Sequence, residues 1–570
     1  MAKRTVGMLA VMGLVLSFAS GAGADQQISW IRQVGGPSAD FASGVALNST
    51  RIYVAGSTFG GLPPNTGIGD AFLLEWDHLG GSQVIRQFGT SDFDLATDVV
   101  ATEDAIFVVG NTDGSLPGFT NAGLSDAFIY KFESNGSLDW VRQFGTTGYD
   151  DIKAVTIQGD RLLVFGGTNG IFPQEKNFGG TDIFLADYNV LNGTPGPLTQ
   201  FGSPGDDIAR GITSTPDQIF VAGHTEGTFL DEESAGGMDA FVSAIDPAWF
   251  VPTWIHQFGT PQDDFAIQPL AGQEGAGQEG VFIAGDTTGA IVPGQANGAG
   301  DIFLSFWNNA GARIWDRQIG TAANEQVSGG DLGPSGIFVA GTTAGALSGQ
   351  PPLGEQDAFV LRFDTAGELG WVHQFGTPEN DFGRDVAVDS GEEVFVGGNS
   401  LGAFPSYTNA GGNDVFALRL GTFQPDALLA KSVIGPYLGD DVYNLLGTGQ
   451  SALKKSLRRR AATFFIEAEN DGETTDSLGV EGCAPSQGFG VKYLSGTTGA
   501  TNITSEVIDG EYAFENVAPG ESEFLRVTIQ VKRRAAFGSV KQCLISVVSH
   551  GDPDLVDVVK ARVKVKRPSG

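Results

Sequence analysis

The stretch ATDVVATEDAIFVVGNTDGSLPGFTNAGLSDAFIYKFESNGSLDWVRQFG, residues 96–145, decides the fold. It holds four short runs: Ala96–Ala101, Ala105–Gly110, Ala127–Phe132 and Leu138–Gly145. Each is rich in β-branched or aromatic residues and bounded by Gly, Asn, Asp or Pro, which is how strands read. Long helical periodicity is absent.

The unit recurs seven times between residues 28 and 421. A Gln-x-Gly signal falls at Gln33, Gln87, Gln143, Gln200, Gln257, Gln318 and Gln374. An Asp-x-Phe signal falls at Asp70, Asp126, Asp182, Asp239, Asp301, Asp357 and Asp414. Most intervals are 56 or 57 residues, and a longer fifth copy carries the low-complexity segment 272–280, read as a turn. Four strands per copy and seven copies describe an all-β, seven-bladed β-propeller, an architecture that leaves few sheet edges exposed.

The runs in Phe41–Gly56, Ile152–Thr168 and Phe382–Gly398 resemble the SBBP-type bacterial β-propeller repeat, over about two-thirds of the chain. Val84 and Pro197 stand where other copies have Trp, and Glu325 where they have Asp. The resemblance implies a fold, since members are mostly of unassigned activity. It also implies the phase: the Gly-Val-Ala strand is innermost and the Trp-x-x-Gln strand outermost. Trp30–Gly35 is then the outer strand of the last blade, and the N-terminal strand closes the ring.

Residues constant in every copy are expected to serve the fold. The Asp of Asp-x-Phe can accept backbone N–H bonds in a turn. The same role is expected for the second acidic set, Asp40, Asp94, Asp150, Asp207, Asp264, Glu325 and Asp381. No cofactor is expected; calcium is the one cation these turns could take, although neither set has the spacing of a calcium hand. Gly60, Gly114, Gly170, Gly227, Gly289, Gly345 and Gly402 are expected at backbone angles closed to other residues. Two residues after each comes an apolar side chain, from Leu62 to Phe404, expected to pin the long loop.

Loops joining strand two to three share a face with those joining strand four to the next blade, and both are long here. The candidate ligand face lies there, at two positions that vary between copies. The first holds Ser57, Asn111, Gly167, His224, Asp286, Thr342 and Asn399. The second holds Phe59, Asp113, Asn169, Glu226, Thr288, Ala344 and Leu401. Variation within a constant frame is how a pseudo-symmetric scaffold builds an asymmetric site. No zinc spacing, nucleophile elbow or phosphate loop is found, so no catalytic or metal residue is assigned.

Lys3 and Arg4, the apolar stretch Val6–Phe18 and Ala22-Gly23-Ala24 read as a signal peptide over 1–24. The chain is therefore expected in an extracellular or cell-surface location, with the periplasm as the alternative, and without membrane insertion after cleavage. Export also permits a disulfide between Cys483 and Cys543, the only cysteines. Sixteen basic and 50 acidic residues precede Lys431; leaving out Lys3 and Arg4, the repeat region carries −36. Such a surface repels nucleic acid.

The repeats are expected to span 25–424, followed by a linker over 425–431 and a second domain over 432–570. Strand-like runs there are Ala461–Glu467, Gly490–Leu494, Phe524–Val531, Gln542–Ser549 and Val556–Val565. With turns at Asn470-Asp471-Gly472 and Ala518-Pro519-Gly520, they resemble the Ig-like or CARDB-like sandwiches of secreted bacterial proteins. The cluster Lys454, Lys455, Arg458, Arg459 and Arg460 could dock on an anionic glycan or on the acidic repeats. The leading expectation is a monomeric, non-enzymatic binding or scaffold protein for a glycan, protein or envelope partner. The alternatives are an extracellular lyase or hydrolase acting on polysaccharide with a carboxylate/cation site, and a structural envelope component.

Overall fold

The computed structural model describes residues 26–60, 62, 69–78, 80–275, 277–422, 425–438, 450–470, 472, 475–498, 501–518, 520–550 and 556–567. The signal-peptide segment 1–24 lies outside them. The molecule is all-β, and seven of its sheets are four-stranded and antiparallel. Sheet 1 runs Asp40–Leu47, Arg51–Thr58, Asp70–Asp77 and Val84–Phe88. Sheets 2 to 6 repeat this order, one copy of the repeat each. Sheet 7 takes Asp381–Val388, Val394–Ser400 and Asp414–Thr422, and its outer strand is Gln26–Val34 from the other end of the chain. The first strand of each sheet touches the first strand of the next, and that of sheet 7 touches that of sheet 1.

The second and third strands are buried almost throughout, Arg161–Thr168 and Asp182–Asn189 for example. They are covered on both faces by neighbouring sheets, so they read as unbroken apolar runs rather than alternating ones. Phe107, Val109 and Ile129 of sheet 2 share one core with Leu162, Val164 and Phe184 of sheet 3.

The repeated polar residues build a clamp. Gln143 Nε2 donates to Asp126 Oδ2 (2.9 Å) and to Gly114 O (3.0 Å), while its Oε1 accepts from Leu116 N–H (2.8 Å). Gln33 does the same in sheet 7, with Asp414, Gly402 and Phe404. The second acidic set caps the preceding turn: Asp150 accepts from Thr146 N–H and the Thr168 hydroxyl, and Glu325 from Thr321 and Thr343. Both sets are committed to protein donors.

The loop glycines differ from expectation. Gly60 has φ +118°, but Gly114, Gly170, Gly227, Gly289, Gly345 and Gly402 do not adopt left-handed angles. A Cβ at Gly114 would collide instead with the Thr90 side chain, and one at Gly170 with that of Thr146. Close approach of loop to turn, not backbone handedness, selects glycine there. The segment 272–280 also differs: the facing strands continue to Glu274 and Gln278, pairing Gln273 with Glu279, so the insertion lengthens a hairpin.

Residues beyond 425 form two five-stranded sheets around a core of their own, from Ala427 to Val565. All five expected strands are present. The expected linker over 425–431 is corrected. Pro425–Ala430 is a buried strand paired with Ala461–Asn470, because Ala427 and Leu429 fill that core. In the basic cluster, Arg458 donates to Ala535 O and stacks on Phe537, and Lys454 donates to Lys431 O, so two of the five cations are engaged within this unit.

Sheets 7 and 1 are latched on the side away from the long loops. His78 Nδ1 lies 3.2 Å from Glu393 Oε2, and Nε2 lies 3.0 Å from Asn48 O. Glu393 also holds Arg419 at 2.8 Å. The hydrogen bond to Glu393 raises the His78 pKa from 6.5, and the same bond lowers that of Glu393 from 4.5. The histidine's contribution is complete below pH 6.5 and is lost as pH rises through its elevated folded value; the glutamate's is lost as pH falls below 4.5. The latch is therefore strongest between these limits. His78→Gln should remove about 1 kcal/mol of stability at pH 6 and almost none at pH 9. Denaturant unfolding at both values measures this, and an equal loss at both would refute it.

Candidate functional site

A cavity of about 570 Å³ opens where the first strands of the sheets begin, on the long-loop side. Phe41, Ala42 and Ser43 of sheet 1 line it, with Arg210 of sheet 4, Phe265, Ile267 and Asp286 of sheet 5, Gln326, Val327 and Ser328 of sheet 6, and Arg384 of sheet 7. Its size suits a small-molecule ligand or one residue of a polymer.

Its lining follows from a local irregularity. Every first strand has one extra residue relative to its partner, a β-bulge, between the third and fifth positions. A bulge breaks the two-residue alternation and re-aims a side chain. The second-strand glycine permits it: a Cβ at Gly110 would collide with the carbonyl oxygen of Leu95 in the facing strand. The bulged residues are Ser43, Thr97, Lys153, Arg210, Ile267, Ser328 and Arg384. They differ chemically from copy to copy, and five of them line the cavity.

Of the sequence-predicted positions, the first row is mostly inside the fold. Ser57, His224, Thr342 and Asn399 are buried, 5% exposed or less, and are corrected as surface ligand contacts. The side chains of Ser57, His224 and Asn399 meet the next sheet's first strand. Ser57 Oγ accepts from Ala96 N–H (3.1 Å), Asn399 Oδ1 from Ala42 N–H (2.6 Å) and Asp286 Oδ1 from Val327 N–H (3.2 Å). Asn111 donates to Ser125 Oγ. Burial, with Arg210 nearby, pushes His224 down to about 3, so it is neutral at physiological pH, its ring edge-on to Phe265. Only Asp286 of this row reaches the cavity, where burial pushes its carboxyl up to about 7.

The second row lies outside. Phe59, Asp113, Asn169, Glu226, Thr288, Ala344 and Leu401 are exposed at the rim. Asn169 is engaged there, accepting from Tyr149 N–H at 2.7 Å.

Below the cavity, a smaller space of about 280 Å³ is lined by Asp98, Asp331 and Asp385 among apolar residues. Each ties its sheet to the next: Asp98 accepts from Val155 N–H, Asp331 from Val388 N–H and Asp385 from Val45 N–H. Burial raises all three, Asp98 to about 7. Among the described residues, one group of possible metal-ligand atoms, from His78, Asp389 and Glu393, lies within 4.8 Å of one another. His78 and Glu393 are spent there on the latch, and Glu393 is also paired with the Arg419 guanidinium.

Several solved structures are similar to this chain, two of them as follows. One is the PQQ-bound aldose sugar dehydrogenase of Streptomyces coelicolor, 13% identical, with a TM-score of 0.32 over 70% of this chain and 99% of that one. The other is the Trypanosoma rangeli sialidase in complex with sialic acid, 9% identical, with a TM-score of 0.31 over 85% of this chain and 90% of that one. A curated relative, regulatory protein FlaEY of Caulobacter vibrioides, is 23% identical over 326 residues, 50% of this chain. The chain spans about a third, 34%, of that protein's length. Residues 370–405, from the outer strand of sheet 6 into the long loop of sheet 7, match the family model of the SBBP β-propeller repeat.

Proposed function

We propose that the repeats form a closed seven-bladed β-propeller, followed by an Ig-like β-sandwich. We further propose that the exported chain is a non-enzymatic binding protein which takes part of an extracellular glycan into the cavity at the propeller mouth. The reading rests on one observation: side chains that vary among the copies are re-aimed by the bulges into a single 570 Å³ space, while the constant residues are spent on holding the fold. Phe41 and Phe265 offer apolar faces, and Gln326 and Ser328 offer amide and hydroxyl groups, with the Ser43 hydroxyl, which donates to Ala96 O, left as an acceptor, a mixture suited to sugar rings. Hydrolysis by paired carboxylates needs two acids flanking one bond. Asp286 is the one acid among the described residues lining the cavity, which favours binding over bond cleavage.

The test is a glycan array probed with the full mature chain and with Ser328→Trp, which fills the cavity from a bulge position. Binding by the natural chain, reduced at least tenfold by the tryptophan, is the expected result. Undiminished binding would move the site elsewhere, and no glycan bound by either protein would overturn the reading.

A further inference from the structure

The cavity holds two cations that the rest of the molecule does not use. Arg210 and Arg384 occupy the same bulge position in sheets 4 and 7, and both line the cavity. Among the described residues, neither guanidinium has a hydrogen-bond or ion-pair partner. Other arginines of the repeats are engaged: Arg142 donates to Gly193 O, Arg161 pairs with Asp187, Arg313 with Asp316 and Arg419 with Glu393. The third cation in the bulge row, Lys153, is paired with Asp151 at 2.6 Å. Two unused guanidinium groups in one cavity are unexpected in a region carrying −36, where carboxylates abound.

Solvent reaches both side chains through the cavity, yet crowding by protein atoms lowers both pKa values. Arg384 is supported by the Phe382 ring, 5.4 Å from its centroid. Asp286 acts on Arg210 electrostatically, but its Oδ1 is already held by Val327 N–H. A guanidinium so placed keeps its planar fork of donors free, and that fork matches the two oxygens of a carboxylate.

We infer that Arg210 and Arg384 hold the carboxylate of an acidic sugar, of the uronic-acid class, in the propeller mouth. This rests on the proposed glycan-binding reading and names its ligand. The ring packs on Phe41 and Phe265, and the hydroxyls bond to Ser43, Gln326 and Ser328. Inorganic oxyanions share the charge but offer nothing to the aromatic walls.

The experiment is calorimetric titration of the full mature chain with galacturonate, glucuronate and mannuronate, with their methyl esters, and with sulfate and phosphate. At least one uronate should bind, its ester about tenfold or more weakly, and sulfate and phosphate more weakly still. Arg210→Gln and Arg384→Gln should each weaken the uronate about tenfold or more, with little change in unfolding temperature, because neither arginine has a hydrogen-bond or ion-pair partner among the described residues and Arg384 gives up only its contact with the Phe382 ring. Equal binding of acid and ester, full binding by both variants, or no binding of any uronate overturns the assignment. Sulfate or phosphate binding as tightly as the sugar acid also overturns it. If neutral glycans bind and Ser328→Trp alone blocks them, the binding-protein reading stands while the acidic ligand falls.

Discussion

Deletion of residues 26–34 should abolish the cooperative unfolding of the repeat region. This strand pairs with Asp414–Thr422 from Gln26 opposite Thr422 to Val34 opposite Val415. Ile28, Trp30, Ile31 and Val34 pack against the cores on either side of sheet 7. The Trp30 indole N–H donates to His78 O and the Arg32 guanidinium to Gly80 O, so the strand also reaches sheet 1. Four half-buried apolar side chains contribute roughly 1–2 kcal/mol each. Loss of Gln33 leaves Asp414 and the Phe404 N–H buried with fewer partners, at about 1–3 kcal/mol each. The sum is on the order of 10 kcal/mol, as large as the stability of a typical domain. Calorimetry should show the repeat transition replaced by a broad or absent one, while the C-terminal transition remains. Gln33→Leu is the milder form and should lower the same transition by about 3 kcal/mol. A deletion variant melting cooperatively within about 5 °C of the natural chain would show that the ends are not joined through this strand.

The constant acids of the repeat were open to sequence reasoning because their job is local. An acid four residues after a turn N–H acts within one turn of chain, and seven copies repeat the statement; the glutamine that clamps the first acidic set lies a strand away, or at the other end of the chain in sheet 7, and its role was not read. The cavity was hidden for the opposite reason. Arg210 and Arg384 follow an alternating pattern until the bulge, and one extra residue sends the side chain to the other face of the strand. Their sequence signal is a chemically erratic residue at a fixed distance from a constant acid, three after Asp207 and three after Asp381. The erratic row chosen from sequence, Ser57 to Asn399, has the same signature but regular pairing, so its side chains turn inward to the next sheet. Variation between copies marks a position facing something particular; only the register says whether that is solvent, a cavity or a neighbouring strand. The strand Pro425–Ala430 was missed on a different ground. Pro and Asp at its start are turn formers by composition, and the partner that makes them a strand lies about 40 residues downstream.

Replacing both Cys483 and Cys543 with alanine should destabilise the C-terminal unit and leave the repeats untouched. The two are joined, 60 residues apart in sequence. A bridge closing a loop of that length restricts the unfolded chain by the equivalent of about 4 kcal/mol. In the folded state it sits where the two five-stranded sheets meet. Cys543 is fully buried in Val540–Ser549 of one sheet, and Tyr493, in Phe489–Ser495 of the other, places its hydroxyl 3.1 Å from Cys543 Sγ and 3.3 Å from Cys483 O. Burial raises the Tyr493 pKa, so the phenol stays protonated and keeps its donor at any pH at which the protein folds. The alanines would leave that hydroxyl the Cys483 carbonyl as its partner, a smaller loss added to the first. For a unit of this size the combined effect is a fall of roughly 10 °C in its unfolding temperature. Among the described residues, the core containing Cys543 includes none before Ala427, so the repeat transition should not follow it. Scanning calorimetry of the natural and double-alanine chains, with and without reductant, separates the two transitions. Reductant should reproduce the substitution in the natural chain and do nothing to the variant. A matching fall in the repeat transition would mean that the sheets before and after residue 425 unfold as one, and the division of the molecule into two separately stable halves would be wrong.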